Sequence, residues 1–216
     1  LYLEQDERAC FGRICNFGSK EKKIILLGDS HLGSLAYDLY NRTKSDHSFL
    51  SITSAGYFHL RNVDQINKHS KKINKDYDKL RIKIDQILDK SKNNLIIIGG
   101  ATSLYFYNKR IEGRALHWDN IFVDKKTKKH EPQYVENAFI DLIEEISQNN
   151  EVILLYPIPE IGRNLQKRKF ENMVRVFNYK YSDFLKQNKE VIKFFDSINN
   201  PKVHKVYSYK AFFKKE

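Results

Sequence analysis

The segment Lys22–Leu35 reads KKIILLGDSHLGSL and decides the fold. Its apolar residues Ile24–Leu27 are consecutive and do not alternate with polar ones, which is typical of a strand buried on both faces. Gly28 ends that strand, and the helix-period stretch Leu32–Tyr40 follows almost at once. The segment therefore predicts a strand that runs directly into a helix, the first unit of a β-α repeat.

Four further apolar runs rich in branched residues predict the other strands: Phe49–Thr53, Leu95–Ile98, Val152–Tyr156 and Val191–Phe195. Apolar residues at steps of three and four predict helices within the ranges Ile73–Leu88, Val135–Ile146 and Phe170–Phe184. Strands that alternate with helices form a mostly parallel sheet that is covered on both faces. The predicted fold class is therefore α/β, with a flavodoxin-like sheet of five strands.

The chain has 216 residues, which suits one domain with a full core, and no stretch approaches the roughly 18 uncharged apolar residues that span a bilayer. Its 38 Lys and Arg residues exceed its 27 Asp and Glu residues, for a formal charge of +11. This composition excludes a disordered or membrane-spanning chain and makes nucleic acid, acidic glycans and lipid headgroups the anionic partners to consider.

Residues 1–21 are expected to form a polar lead-in and residues 22–216 the α/β domain. The chain begins at Leu1 without the pattern of a signal peptide, so we expect a fragment or a processed product. Cys10 and Cys15 are the only cysteines, and either a disulfide closes this short loop or both thiols stay unpaired. A single pair at this spacing predicts neither a zinc framework nor a redox Cys-x-x-Cys motif. The two cysteines favour an oxidising compartment only weakly.

Lysines are concentrated in two segments. Asn108–Glu131 predicts a long loop at the carboxyl edge of the sheet, where ligands bind, and its densest basic patch is Lys125–Lys129. Lys68–Lys92 interleaves lysines with Asp76, Asp78, Asp85 and Asp89, which favours a solvated helix face over a nucleic-acid stripe. No aromatic residue is interleaved with the lysines of the patch Lys125–Lys129 and no recognisable binding motif is evident, so no nucleic-acid partner is predicted.

Ser30 is the candidate nucleophile. The turn Gly28-Asp29-Ser30-His31 joins a buried strand to a helix, which places the Ser30 hydroxyl at the carboxyl edge of the sheet. The free N–H groups at the start of the helix point to the same place and would stabilise an oxyanion on an attacked carbonyl. The residues predict acyl transfer, and the alternative is that Asp29 or Ser30 only caps the helix.

Gly28-Asp29-Ser30 resembles the first sequence block of SGNH (GDSL-like) hydrolases, and its form with His31 resembles the SGNH domains fused behind bacterial membrane acyltransferase-3 proteins. Ser54-Ala55-Gly56 resembles the second block, and the resemblance implies that the Gly56 N–H completes the oxyanion hole. A simple turn glycine is the alternative. Leu154–Ile161 reads LLYPIPEI and resembles the Pro-x-Pro-Glu segment that follows the fourth strand of these fused domains.

The sequence departs from the family at the third block, where an Asn, or an Arg-Trp pair in the fused branch, is usual. The chain has GGATSLY at Gly99–Tyr105, and Thr102 is the nearest candidate donor to the oxyanion. The alternative is that Thr102 only caps or turns the backbone.

The second departure concerns the general base. The family takes the base and its orienting acid from an Asp-x-x-His motif, and no histidine here has Asp three residues before it. Lys210–Glu216 resembles the approach to that motif, so we expect it to lie beyond residue 216. His31 points about 100° away from Ser30 on a helix and, with Asp29, is expected to line the site. His204 is the less favoured base, and the remaining histidines are expected at the surface.

The resemblance implies serine-dependent O-acyl transfer, most often of acetyl, to hydroxyls of a bacterial cell-surface polysaccharide. It implies a periplasmic domain tethered to the inner membrane and an acyl donor delivered by a membrane acyltransferase domain, ultimately from acyl-CoA, with no cofactor. No His, Cys, Asp or Glu cluster has metal-ligand spacing. The alternatives are an SGNH acyl esterase and a non-catalytic glycan-binding module. The oligomeric state is not predicted.

Overall fold

The computed structural model describes residues 8–11, 13–109, 119–159 and 180–213. Its strands are β1 (Arg8–Phe11), β2 (Ile14–Phe17), β3 (Lys23–Gly28), β4 (Ser48–Thr53), β5 (Val63–Asn67), β6 (Leu95–Gly99), β7 (Asn120–Asp124), β8 (Glu151–Leu155) and β9 (Val203–Val206). Its helices are α1 (Ser30–Gly33), α2 (Ala36–Thr43), α3 (Lys75–Asp89), α4 (Thr102–Tyr107), α5 (Pro132–Ser147) and α6 (Tyr181–Ser197), followed by a 3₁₀ turn at Ser208–Ala211.

Within these ranges the central sheet has the strand order β1-β2-β4-β3-β6-β8-β9. The strands β4, β3, β6, β8 and β9 are parallel. The β1–β2 hairpin adds an antiparallel extension beside β4. Alternate residues of β3 face opposite sides. Ile24 and Leu26 pack with Leu32 and Tyr40 of α1 and α2, whereas the other β3 face packs with α3 to α6. Helices thus cover both faces, which confirms the predicted α/β fold class.

The prediction of a strand at Val191–Phe195 is wrong, because this run lies inside α6. Phe184, Asn188, Val191 and Phe195 are buried at helical spacing, so the short apolar run is the dense part of a helix stripe. The fifth parallel strand is β9 instead. Its sequence, VHKV, alternates in burial and lies at the edge of the sheet in the described chain, and such a strand shows no apolar run.

The helix predicted over Leu32–Tyr40 is divided into α1 and α2. The Ser34 hydroxyl donates to the His31 carbonyl oxygen at 2.7 Å, a local bond that competes with a continuous helix. α1 also packs closely against the end of β4, since a Cβ added at Gly33 would lie 2.8 Å from Thr53 Oγ1. The segment that carries Ser30 is therefore a single helical turn held against the sheet.

The predicted loop Asn108–Glu131 contains β7, which pairs antiparallel with β5 in a two-stranded ribbon beside the main sheet. The loop prediction is therefore wrong at Asn120–Asp124. β7 and its partner β5 have only five residues each and include polar residues, so neither shows a long apolar run. Residues 110–118, with Trp118, lie outside the described residues. So does the first part of the helix predicted over Phe170–Phe184, while Tyr181 and Phe184 lie in the first turn of α6.

The β1–β2 hairpin brings part of the lead-in into the central sheet. Its register places Cys10 opposite Cys15, and Cys15 is disulfide-bonded. Of the two alternatives for the cysteines, the structure has the oxidised one.

Candidate active site

Three turns meet at the carboxyl edge of the parallel sheet. The ladder pairs Gly28 at the end of β3 with Thr53 on one side and with Gly99 on the other, so the chain leaves β3, β4 and β6 at the same level. The Ser54 N–H also donates to the Gly28 carbonyl oxygen at 3.4 Å. The sheet register therefore brings the turns with Ser30, Gly56 and Thr102 to one edge of the sheet. The strand order β4-β3-β6 is that of a doubly wound sheet.

Ser30 begins α1 and is exposed to solvent. Asp29 is its N-cap and is 1% exposed. Asp29 Oδ1 accepts hydrogen bonds from the N–H groups of His31 at 2.9 Å and Leu32 at 3.4 Å. Because this carboxylate satisfies the first free N–H groups of the turn, the turn is fixed while the Ser30 side chain stays accessible.

Asp29 also links the turn that carries Ser30 to the turn after β6. Its Oδ2 accepts from the Ala101 N–H at 2.9 Å, between β6 and α4. Gly100 has φ +139°, and a Cβ added there would lie 2.6 Å from Asp29 Oδ1. Only glycine leaves room for the carboxylate at this conformation. The sequence analysis expected Asp29 only to line the site. The sequence signal for its second contact was the pair Gly99-Gly100, which leaves room for a side chain from the turn after β3.

Two backbone N–H groups remain available as oxyanion donors. Within the described part of the chain, neither Ser30 N–H nor Gly56 N–H donates a hydrogen bond. Gly56 has φ +71° in a turn that is closed by the Tyr57 N–H donating to the Ser54 carbonyl oxygen at 3.1 Å. Glycine adopts this left-handed conformation without steric cost, because it has no Cβ.

Thr102 has a different environment from the one its predicted donor role requires. It is the first residue of α4 and is fully buried, and its Oγ1 has no hydrogen-bond partner. Its N–H donates to the Gly100 carbonyl oxygen at 2.9 Å. Neither polar hydrogen of Thr102 is available at the carboxyl edge, because the N–H is hydrogen-bonded and the hydroxyl is buried.

The two histidines considered for the site, His31 and His204, have different surroundings. His31 is half-buried, and its N–H donates to Asp29. His204 is exposed on β9, with Nε2 2.8 Å from Glu151 Oε2. Glu151 begins β8, about 13 Å along the strand from the carboxyl edge. Glu151 therefore lies at the opposite end of β8 from the edge where Ser30 lies.

The expectation that the remaining histidines lie at the surface is wrong for His59, which is 1% exposed. Its environment is described below. No group of three or more His, Cys, Asp or Glu side chains in the described ranges is placed to hold a metal ion.

The segment after β8 is held at the same edge. The Tyr156 hydroxyl donates to Asp196 Oδ1 at 2.6 Å, and Ser208 Oγ donates to the Tyr156 carbonyl oxygen at 2.7 Å. Burial, with the hydrogen bond to Asp196, raises the pKa of Tyr156, so its hydroxyl remains a donor. Glu160 and Ile161 of the predicted Pro-x-Pro-Glu segment lie outside the described residues.

A comparison with protein families matches the chain over residues 2–216 to the model of the SGNH domain fused to AT3 domains. No curated protein sequence matches it. Among solved structures, it is similar to the periplasmic domain of the lipopolysaccharide acetyltransferase of Salmonella ser. Paratyphi A. The TM-score is 0.54 with 15% identity, over 91% of this chain and 70% of that chain. At this identity the likeness shows a shared fold. Among the described residues, no helix has both the length and the apolar character needed to cross a membrane.

Proposed function

We propose that this chain, which belongs to the family of SGNH domains fused to AT3 domains, carries out serine-dependent acyl transfer with Ser30 as the nucleophile. Family membership supports activity of the acyl-transfer or ester-hydrolase type. The observation that carries the residue assignment is the exposed Ser30 side chain at the carboxyl edge of the sheet. The N–H groups of Ser30 and Gly56, which are unbonded within the described chain, supply donors beside it.

In the first half-reaction, Ser30 Oγ attacks the carbonyl carbon of an acyl donor. The Oγ–C bond forms, the carbonyl oxygen becomes an oxyanion that accepts from the N–H groups of Ser30 and Gly56, and the bond to the leaving group breaks. The hydroxyl proton passes to a general base and then to the leaving group. In the second half-reaction, a sugar hydroxyl loses its proton to the same base and attacks the ester carbonyl carbon. The C–Oγ bond then breaks, and the base returns the proton to Ser30 Oγ.

The general base is proposed to be a histidine outside these 216 residues. No histidine in the sequence has an Asp three residues before it, and His204 is paired with Glu151 away from the carboxyl edge. An unactivated serine is a weak nucleophile at neutral pH, so the chain by itself is expected to acylate slowly.

The acceptor is proposed to be a hydroxyl of a cell-surface glycan and the group an acetyl, on the periplasmic side of the inner membrane. The family's fusion to AT3 domains supports a membrane partner that delivers the acyl group, ultimately from acyl-CoA. The serine step needs no metal or organic cofactor.

Ester hydrolysis is the second candidate, because water could reach an acyl-Ser30 at an exposed turn. A glycan-binding module without catalysis is the third, and it would draw on the basic loop at Lys125–Lys129. In the structure, Lys128 of that loop forms an ion pair with Asp64.

The test is acyl partitioning. The protein that contains this chain together with an Asp-x-x-His segment is incubated with p-nitrophenyl acetate, with and without a polysaccharide acceptor, and Ser30→Ala serves as the control. Transfer predicts acetyl on Ser30 and on acceptor hydroxyls, with less free acetate when acceptor is present. Acetate release that the acceptor does not change would assign hydrolysis, and activity equal to that of Ser30→Ala would refute both.

A further inference from the structure

His59 is a buried histidine with partners on both ring nitrogens. The Tyr57 hydroxyl lies 3.0 Å from His59 Nδ1, and His59 Nε2 lies 3.1 Å from Asp85 Oδ1 of α3. Tyr57 is 2% exposed, and the His59 side chain is fully buried. The sequence suggested none of this, since Asp85 was expected on a solvated helix face and His59 at the surface.

The direction of each bond follows from the charge states. Burial lowers the pKa of His59 and outweighs the opposing hydrogen bond to Asp85, so the imidazole is neutral at pH 7 and carries one N–H. Burial alone would raise the pKa of Asp85, but the hydrogen bond from His59 and the charges of Arg61 and Arg81 hold it below its usual value. An ionised Asp85 accepts only, so Nε2–H donates to it and Nδ1 accepts from the Tyr57 hydroxyl.

Asp85 is in turn anchored from two directions. Its Oδ1 accepts from Arg61 Nε at 3.0 Å, and its Oδ2 accepts from Arg81 Nη1 at 3.1 Å. The Arg61 guanidinium also forms an ion pair with Glu145 of α5. The outer end of the Tyr57–His59–Asp85 chain is therefore fixed to two helices, and its inner end is the phenol of Tyr57.

Tyr57 is the residue directly after Gly56, the proposed oxyanion donor, and its N–H closes the turn that begins at Ser54. A shift of the Tyr57 backbone is passed through one peptide unit to the Cα of Gly56, which carries the Gly56 N–H. We propose that His59 is a positioning residue for acyl transfer, which holds the Gly56 N–H in line with Ser30 through its hydrogen bond to Tyr57. This proposal rests on the proposed function.

A purely structural role would make a different use of these residues. Tyr57 is already fixed by apolar contacts, with its ring 5.1 Å from that of Tyr77, and a phenylalanine would retain them. A buried polar chain gives little net stability over apolar packing, although a fully satisfied one fixes a single arrangement. The hydroxyl of Tyr57 is therefore expected to determine alignment more than stability.

The test compares two tyrosines of matched burial. Tyr57→Phe removes the hydroxyl that bonds His59, and Tyr77→Phe removes one that bonds the Leu60 N–H and carbonyl oxygen, each at 3.3 Å. Tyr77 is 3% exposed and does not bond His59. For each variant, the first readout is the amide shift and hydrogen exchange rate of Gly56 in ¹H–¹⁵N NMR spectra. The second is the rate constant and half-saturation concentration of Ser30 labelling by a fluorophosphonate, and the third is the melting temperature.

We expect both variants to lower the melting temperature by similar amounts, while Tyr57→Phe alone shifts the Gly56 amide and lowers the maximal labelling rate about tenfold at unchanged half-saturation. Replacements of His59 sharpen this result. His59→Asn keeps an acceptor near the position of Nδ1 and should retain much of the rate, whereas His59→Gln keeps only the partner for Asp85 and should lose it.

The outcomes separate the two proposals. If Ser30 of the wild-type protein is not labelled, the proposed function fails, and the Gly56 amide still decides the positioning role. An unperturbed Gly56 amide in Tyr57→Phe overturns that role whatever the labelling shows. Equal loss of labelling in Tyr57→Phe and Tyr77→Phe, in proportion to their lost stability, also overturns it, because it would mean that His59 acts on stability alone.

Discussion

The turns that follow β3 and β6 lie side by side and both start at a glycine, yet their backbone N–H groups differ in whether they are hydrogen-bonded. After β3, Ser30 is exposed and its N–H is unbonded within the described chain. After β6, the Ala101 N–H donates to Asp29 and the Thr102 N–H to Gly100, and the Thr102 hydroxyl is enclosed. The turn after β3 thus leaves Ser30 open to solvent, whereas the turn after β6 uses its N–H groups in hydrogen bonds, one of them to Asp29 of the first turn.

The difference shows why sequence position alone does not assign an oxyanion donor. Adjacent strands of a parallel sheet deliver their turns to one edge, but the hydrogen bonds made within each turn decide which N–H groups stay free. Asp29 is the residue that separates the two states, since its carboxylate accepts from both turns.

Replacement of Asp29 should break both turns. In Asp29→Ala, the part-buried N–H groups of His31 and Ala101 lose their side-chain acceptor, so we expect the free energy of unfolding to fall by about 4 kcal/mol. Ser30 labelling should be lost as well. Urea denaturation measures the first effect, and mass spectrometry the second. The control Asp38→Ala removes an exposed ion pair with Arg42 and should change neither. A stable Asp29→Ala protein would contradict the role of Asp29 in holding both turns.

Gly100→Ala should push on the same carboxylate from the turn after β6. The added Cβ would lie 2.6 Å from Asp29 Oδ1 at φ +139°, so we expect a loss of about 2.5 kcal/mol in unfolding free energy, together with slower labelling. Gly18→Ala is the matched control: φ is +74°, but the added Cβ has 3.6 Å to Ser48, so only backbone strain of about 1 kcal/mol remains. Equal losses in thermal or urea unfolding would mean that the contact with Asp29 is unimportant.

The third turn, with Gly56, should respond to pH through His59. The folded-state pKa of His59 lies below its unfolded value of about 6.5, so below that pH the unfolded chain takes up a proton that the folded chain does not. Stability should therefore fall as the pH drops from 7.5 to 5.5, by about 1 kcal/mol more in wild type than in His59→Asn. Urea titrations at both pH values measure this difference. A parallel decline in the two proteins would contradict a neutral, buried His59.

Thr102→Val should have the smallest effect, and in the opposite direction. Because Oγ1 is buried without a partner, its removal should stabilise the fold by about 0.5 kcal/mol and leave Ser30 labelling unchanged. In the control Thr53→Val, loss of the hydroxyl bonded to Ser51 at 2.9 Å should destabilise instead. A large fall in labelling for Thr102→Val would show that its hydroxyl reaches the oxyanion after all.

The fold could be predicted where burial makes strands continuous in apolar residues. Runs such as Leu95–Ile98 are buried on both faces and are strands in the structure, with small differences at their ends. The edge strand β9 is exposed at alternate residues, whereas β5 has polar residues that are buried, Asp64 and Gln65. In β9 and in the ribbon strands β5 and β7, polar residues interrupt the apolar ones, so no apolar run marked these strands. Val191–Phe195 misled because five residues cannot distinguish a dense helix stripe from a strand.

The site was predictable to the level of the turn. The strand-to-helix sequence at Ser30 and the glycine at position 56 led to the carboxyl edge, where the register does place them. The contacts of Asp29 with Ala101, the enclosure of Thr102 and the chain from Tyr57 to Asp85 depend on residues distant in sequence. Such contacts are set by packing between elements, which a single sequence does not encode as a pattern.

The most direct test of the account is covalent labelling of Ser30 by a fluorophosphonate, read by peptide mass spectrometry. It is performed on the 216-residue chain and on the protein that also carries an Asp-x-x-His segment, with Ser30→Ala and, on the same helical turn, Ser34→Ala as the matched pair. We expect a single adduct on Ser30 that forms faster in the longer protein, is absent in Ser30→Ala and is retained in Ser34→Ala. No adduct on Ser30 in either protein would contradict it.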